Sequence, residues 1–182
     1  MIVTTSILMG NNEVLNRSPH FDRIYPGKYT YREDLTPVHM AAVAMENYDI
    51  KFKEFLSGGD ILVAGYNFGT GSSREQAVTC LKHGGINAIV VGSVNSTYLR
   101  NALNNGVILI ECPDFIEFLR SSEKQSNPTY KLLHSCQINF SNSTLEYGER
   151  NFSFSSLGHA AQDLISAGGL ENQIRSSIPN AP

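Results

Sequence analysis

Three apolar runs in the middle of the chain alternate with segments of helical periodicity. The runs "ILVA" (61–64), "INAIVV" (86–91) and "VILI" (107–110) are short and almost wholly apolar, which is typical of buried strands. Between them lie "SREQAVTCLKHGG" and "NSTYLRNALNN", whose glycine or asparagine ends are typical of helices. Because strands joined by helices need crossovers, this order predicts a parallel sheet with right-handed connections.

The segment before the first run also has helical features. Thr36 suits a helix cap and Pro37 suits a first helical position, so we expect a helix that continues through 38–48. A shorter amphipathic helical segment is predicted within 49–59, where a Gly-Gly pair stops it.

The last third of the chain has a different pattern of apolar and polar residues. A helix over 114–122 precedes two alternating segments, 130–140 and 143–156, which predict a hairpin. A final helix over 160–177 is interrupted by a Gly-Gly pair. We therefore expect one domain covering 1–182: an α/β fold with a mainly parallel central sheet, helices on both faces and a β-rich C-terminal section.

Charge and composition narrow the class of protein. A formal net charge of −3 over 182 residues disfavours nucleic-acid binding, and no window approaches the roughly 18 apolar residues of a membrane span. The start of the chain lacks a basic leader, so we predict no secretory signal. Three widely spaced cysteines indicate free thiols in a reducing compartment, and hence the cytoplasm or the mitochondrial matrix: Cys80, Cys112 and Cys136.

The junction "GYNFGTGSSREQA" (65–77) follows the first buried run and admits two interpretations. Ser72 and Glu75 fit a capping box, a structural motif that implies no binding or catalytic role. Alternatively, the glycines let the backbone approach a ligand, and a helix N-terminus beside Arg74 suits an anion. The segment matches neither the Walker motif nor the dinucleotide-binding motif, so the predicted ligand is a small carboxylate.

These residues carry a resemblance to a known family. "NFGTGSSREQA" strongly resembles the signature of the aconitase-superfamily swivel domain, which also stands alone as the small subunit of isopropylmalate isomerases. "STYLRNALNNGVILIE" matches the same family, and "AGGLENQIR" matches it more weakly. "DRIYPGKYTY" is similar to the family's N-terminal segment, in a form closest to the homoaconitase branch.

The resemblance implies roles for individual positions. Ser72 aligns with the serine that acts as the base, and Asp22 aligns with the family's active-site aspartate. In front of Asp22 the chain reads "RSPHFD", which departs from the family's usual Asp-rich segment and weakens the support of that residue. The positions that align with substrate contacts are Ser73, Arg74, Lys28, Tyr29, Tyr31 and Arg32.

The resemblance further implies the chemistry and a partner. A hydro-lyase of this family would dehydrate and rehydrate a 2-hydroxy di- or tricarboxylate such as homocitrate or homoaconitate. Its Lewis acid would be a 4Fe–4S cluster carried by a separate large subunit or domain, so we expect no cluster on this chain and no activity without that partner. The alternatives left open are an isopropylmalate isomerase small subunit and a non-catalytic carboxylate-binding module; a nucleotide-binding domain is disfavoured.

Overall fold

The computed structural model describes residues 2–5, 7–10, 24–32, 34–71, 74–122 and 127–178, with the backbone alone for residues 2–5 and 7–10. The strands are β1 (Ile2–Thr5), β2 (Ile7–Gly10), β3 (Asp60–Ala64), β4 (Ile86–Val91), β5 (Ile108–Glu111), β6 (Thr129–Lys131), β7 (Cys136–Asn139), β8 (Thr144–Tyr147) and β9 (Arg150–Ser153). The α-helices are α1 (Pro37–Ala42), α2 (Phe52–Phe55), α3 (Gln76–His83), α4 (Ser96–Asn104), α5 (Pro113–Ser122), α6 (His159–Ala167) and α7 (Leu170–Ser177).

The parallel core predicted from the three apolar runs is confirmed. Among the described strands, five form one sheet in the order β5-β4-β3-β2-β6. Strands β2 to β5 are parallel neighbours in that sheet, and β6 is antiparallel to β2 at the edge. The third run forms its strand one residue later than predicted, at Ile108–Glu111. The sequence pattern had not singled out β2, which extends the parallel core by one strand.

Both faces of this sheet are buried, which explains why its strands are apolar almost throughout. Leu62 and Ile89 lie in one buried cluster together with residues of α3 and α4. Val63 and Val90 point the other way, into a second cluster formed with α5 and strands β7 and β8. The prediction of helices on both faces is therefore confirmed, and a second sheet shares the covering of one face.

The predicted C-terminal hairpin is confirmed in β7 and β8, which pair antiparallel, but it is part of a larger second sheet. The alternating segment 130–140 is divided: β6 joins the parallel sheet, whereas β7 continues into an antiparallel meander with β8 and β9. Strand β1 pairs with β7, so the second sheet has the order β1-β7-β8-β9. Short alternating strands reveal their two faces but not their partners, and β1 and β2 are distant in sequence from the strands they join.

The helix predicted over 38–48 is also shorter than its apolar spacing indicated. Helix α1 ends at Ala42, and the chain continues in turns that still bury Ala44 and Met45. Met45 adopts a φ of 60°, outside the helical region, and its N–H donates to the carbonyl of Ile24 at 2.8 Å. A tertiary hydrogen bond thus replaces the helical one, while the apolar side chains remain in the core.

The Gly-Gly break predicted in the last helix is confirmed. Gly168 ends α6 with a φ of 78°, and α7 begins after Gly169. The turn packs on Gly106, which follows α4: a Cβ placed on Gly106 would lie 2.3 Å from the carbonyl carbon of Gly168. The close approach of two backbones holds the C-terminal helices against α4.

Replacing Gly106 by alanine tests this packing. The new Cβ would meet backbone that cannot swing away, and the φ of 68° disfavours any side chain. We expect a loss of about 3 kcal/mol in the free energy of unfolding, measured by urea denaturation. Gly58→Ala is the matched control, because a Cβ there meets nothing within 4 Å. Equal midpoints for the two variants would contradict the packing of the 168–169 turn on α4.

Candidate functional site

The loop that follows β3 lies at the carboxyl end of a central parallel strand, where open α/β sheets bind ligands. Its backbone turns through left-handed conformations at Asn67 (φ 58°), Gly69 (φ 73°) and Gly71 (φ 100°). A Cβ on Gly69 would lie 2.3 Å from Cγ of the Tyr98 ring. Glycine is therefore required at Gly69 for both its conformation and its contact, which accounts for part of the glycine-rich motif.

The same loop is fastened to the loop that follows β4. The N–H of Asn67 donates to Oγ of Ser93 at 2.8 Å, and the N–H of Phe68 donates to the Ser93 carbonyl at 2.9 Å. In return, the N–H of Asn95 donates to the carbonyl of Phe68 at 2.9 Å. The Phe68 ring is buried edge-on against Tyr98, with ring centroids 5.1 Å apart. The two strand ends consequently form one connected platform.

Tyr66 fastens the start of the loop to the opposite side of the sheet. Its hydroxyl donates to Oε1 of Glu117 on α5 at 2.7 Å, and Arg120 donates to the same oxygen at 2.7 Å. Burial, followed by this hydrogen bond, raises the pKa of Tyr66 to about 12. The bond from Tyr66 in turn lowers the pKa of the Glu117 carboxyl. At neutral pH the pair is thus a phenol donating to a carboxylate.

Three of the residues predicted for the site lie outside the described residues. They are Ser72 and Ser73, between the described Gly71 and Arg74, and Asp22, which precedes the described Ile24. Their roles stay predictions. The structure does describe the loop on one side of the serine pair and the cation on the other.

Arg74 links the glycine loop to the N-terminal segment, two regions that sequence reasoning treated separately. Its Nη1 donates to Oγ1 of Thr30 at 2.8 Å. Its guanidinium carbon lies 5.8 Å from the centre of the Tyr31 ring, a cation–π distance, although Tyr31 is 87% exposed. The structure thus brings Arg74 and Tyr31 together, while their roles in a site stay predictions. Sequence reasoning missed Thr30, whose only signal was its position next to Tyr31.

The other two predicted cations are paired with carboxylates of the chain. Nζ of Lys28 lies 2.6 Å from Oε1 of Glu46, whose other oxygen accepts from the Tyr29 hydroxyl at 3.0 Å. The hydrogen bond from Lys28 lowers the pKa of Glu46. Nε of Arg32 donates to Asp34 at 3.0 Å, and Nη2 donates to its second oxygen.

Both pairs are at the surface, where solvent screening leaves such pairs little energy. The side chains of Lys28 and Arg32 are 57% and 51% exposed, respectively. The pairs are therefore weak enough to rearrange around a charged ligand.

The position of Glu75 does not support the capping-box interpretation of Ser72 and Glu75. Helix α3 begins at Gln76, later than a cap at Ser72 requires. The Glu75 carboxylate accepts a hydrogen bond from Nδ2 of Asn105 at 2.7 Å, and thus reaches towards the end of α4. Asn105 belongs to the "RNALNNG" segment, which also resembles the family. A side chain from this second segment therefore contacts Glu75, just before the start of α3.

The three cysteines do not fit a shared iron–sulfur cluster. Cys80 lies in the buried cluster on one face of the parallel sheet, whereas Cys112 and Cys136 lie in the cluster on the other face. Burial raises the pKa of all three thiols, that of Cys136 to about 12, which disfavours the thiolate that a metal needs. Among the described residues, no group of three His, Cys, Asp or Glu side chains could hold a metal ion.

The fold and the loop define an aconitase-type swivel domain, and comparison with known proteins agrees. Residues 11–114 match the family of the aconitase C-terminal domain. The chain belongs to this family. The fold is similar to the crystal structure of 3-isopropylmalate dehydratase from Methanocaldococcus jannaschii, with a TM-score of 0.78 and 27% identity. That match covers 97% of this chain and 95% of the other.

Similar sequences include fungal proteins named mitochondrial homoaconitase. The protein of Candida albicans is 42% identical over 164 residues, which are 86% of this chain and 24% of the relative. The protein of Aspergillus fumigatus is 42% identical over 167 residues, which are 88% of this chain and 22% of the relative. The chain therefore spans about a quarter of the length of these relatives. None of the helices described by the structure is long and apolar enough to cross a membrane.

Replacing Tyr66 by phenylalanine should expose the coupling between the loop and α5. We expect a loss of about 1 kcal/mol in the free energy of unfolding at neutral pH, because Glu117 loses a donor. The pKa of Tyr66 is raised from 10.0 to about 12, so its stabilisation is complete below pH 10 and is lost as the pH rises to 12. The lowered pKa of Glu117 acts at acid pH: its stabilisation is present above the ordinary 4.5 and is lost as the pH falls below it.

Urea denaturation at a series of pH values checks this prediction. The difference between the original protein and Tyr66→Phe should be greatest from about pH 5 to 10 and should shrink on both sides. Glu117→Gln is the companion variant, since it keeps an acceptor oxygen but removes the charge. A difference that stays constant across the whole pH range would contradict the assigned protonation states.

Proposed function

We propose that this chain is the swivel part of an aconitase-type hydro-lyase, acting on a 2-hydroxy di- or tricarboxylate such as homocitrate or homoaconitate. The observation that carries the proposal is the left-handed glycine loop at the end of β3, which leads directly into Ser72, Ser73 and Arg74. Membership of the aconitase C-terminal domain family and the homoaconitase relatives support the same activity.

In this proposal Ser72 is the base that removes the proton beside a substrate carboxylate. A serine is a poor base in water, so its alkoxide needs nearby positive charge. Arg74 is adjacent in the chain, and the N-terminus of α3 at Gln76 adds the partial positive charge of its amides. Ser73 and Arg74 bind a substrate carboxylate, which suits a guanidinium because its fork matches two carboxylate oxygens.

The cofactor in this proposal belongs to another part of the enzyme. A 4Fe–4S cluster bound there would supply the Lewis acid for the departing hydroxyl. Support for a separate carrier comes from the distribution of the thiols of this chain over opposite faces of its sheet. The short span relative to the homoaconitases is consistent with a large subunit or domain that carries the rest of the active site.

The homoaconitase assignment is favoured over an isopropylmalate isomerase small subunit. Identity to the homoaconitases of Candida albicans and Aspergillus fumigatus is 42% over more than four fifths of this chain, compared with 27% to the isopropylmalate dehydratase structure. The same relatives, named as mitochondrial, support the matrix as the compartment. A non-catalytic carboxylate-binding module remains the alternative, because the segment before Asp22 departs from the family pattern.

Ser72→Ala tests the central assignment in the enzyme assembled with its cluster-bearing part. We expect turnover of homoaconitate to fall by about a hundredfold to ten-thousandfold with little change in KM, since a lost proton-transfer group acts on the transition state. Ser121→Ala on the exposed part of α5 is the control for the same chemical change and should leave turnover unaltered.

Melting temperatures measured alongside separate the two interpretations of Ser72. A lowered melting temperature with near-normal turnover would make this serine a structural cap and would overturn its role as base. An assembled enzyme that binds homoaconitate but has no turnover even before substitution would favour the non-catalytic module.

Arg32→Ala tests substrate choice. If Arg32 leaves Asp34 to bind the distal carboxylate of homoaconitate, its loss should raise KM for homoaconitate about tenfold and leave KM for isopropylmalate within about twofold. Lys51→Ala, which removes an exposed cation on another segment, is the matched control. Equal losses on both substrates would remove Arg32 from the specificity determinants.

A further inference from the structure

We propose that Thr30 is a positioning residue for Arg74: its hydroxyl orients the guanidinium that binds the substrate carboxylate. The proposal rests on the function proposed above and adds a residue to it. Oγ1 of Thr30 accepts a hydrogen bond from Nη1 of Arg74 at 2.8 Å, across 44 positions of sequence. Both side chains are half-buried, so water competes less for this bond than at an open surface.

The backbone that carries Thr30 is anchored in the core. Ile24 and Tyr25, which begin the segment, are at most 1% exposed. A 3-10 turn over Gly27–Tyr29 follows, and the N–H of Thr30 donates to the carbonyl of Gly27 at 3.1 Å. The Ile24 carbonyl accepts from Met45, which ties the segment to the turns after α1. The threonine hydroxyl is therefore a fixed point and not the tip of a loose loop.

Arg74 benefits from such a fixed point because of the geometry of its own side chain. A free arginine carries about 2 kcal/mol of rotamer entropy, part of which must be lost to present the fork in one plane. The bond at Nη1 restricts that plane before substrate arrives, and the Tyr31 ring 5.8 Å away restricts it further. Bidentate binding of a carboxylate depends on this orientation, so losing the bond should weaken substrate binding more than turnover.

A purely structural role for Thr30 predicts a different experimental result. If the bond only holds the segment 24–32 against the glycine loop, its removal lowers the melting temperature and changes nothing that passes through Arg74. Positioning instead predicts a change in KM that vanishes once the fork of Arg74 is gone. The two roles therefore separate in a double-mutant cycle with Arg74→Lys, which keeps the charge but not the fork.

The experiment compares Thr30→Val, Thr30→Ser, Arg74→Lys and the Thr30→Val/Arg74→Lys pair in the assembled enzyme, with homoaconitate as substrate. We expect Thr30→Val to raise KM about tenfold, with kcat within about threefold of the original. Thr30→Ser keeps the hydroxyl and should stay within about twofold in KM. Arg74→Lys should itself raise KM, and Thr30→Val should add less than about twofold in that background. Thr36→Val is the control: it removes a hydroxyl that caps α1 and should lower only the melting temperature.

Three outcomes would overturn the role of Thr30 while leaving that of Arg74 intact. They are an unchanged KM in Thr30→Val, a defect in Thr30→Ser as large as in Thr30→Val, and an equal effect of Thr30→Val with and without Arg74→Lys. An unchanged KM in Arg74→Lys would overturn the substrate-binding role of Arg74, and the proposal for Thr30 with it. Should Thr30→Val not fold, Thr30→Ala removes the same hydroxyl and is judged by the same outcomes.

Discussion

The contact of Gly69 with the Tyr98 ring is the constraint on which the site depends. Tyr98 stands on α4, is 1% exposed, and also donates its hydroxyl to the carbonyl of Ala77 in α3 at 3.0 Å. One aromatic side chain thus contacts the glycine loop and fixes the helix that the loop leads into. Because the ring occupies the space that a Cβ would need, only glycine fits at Gly69.

The parts of the fold that could be predicted from sequence are those whose signal is local. Buried parallel strands are apolar on both faces, and residue types such as Gly168 and Gly169 announce a helix break within a few positions. The place of β6 in the parallel sheet and the end of α1 could not be predicted in this way. Their states depend on β2 and on the carbonyl of Ile24, partners that no pattern around residues 130 or 45 reveals.

The residues of the candidate site likewise differ in whether the sequence could predict them. Arg74 was predicted from the glycine junction and Tyr31 from the family resemblance, and the structure places the guanidinium of Arg74 near the Tyr31 ring. Thr30 carries no distinctive local pattern, since a threonine beside a tyrosine is unremarkable until the arginine 44 positions away is seen to contact it. The partner of Lys28 was missed for the same reason: Glu46 lies in the turns that replaced the end of the predicted helix.

The glycine loop and the N-terminal segment with Lys28 and Arg32 are held in place by different kinds of contact. The glycine loop is held by backbone hydrogen bonds to the neighbouring strand end and by a buried aromatic ring, which are uncharged contacts that salt screens little. Lys28 and Arg32 are held by exposed ion pairs, which are weak and exchange readily. In the function proposed above, the first kind of support suits the catalytic residues, and the second suits recognition of a variable substrate tail. Arg74 joins the two, because its chain position belongs to the loop and its hydrogen bond to Thr30 belongs to the N-terminal segment.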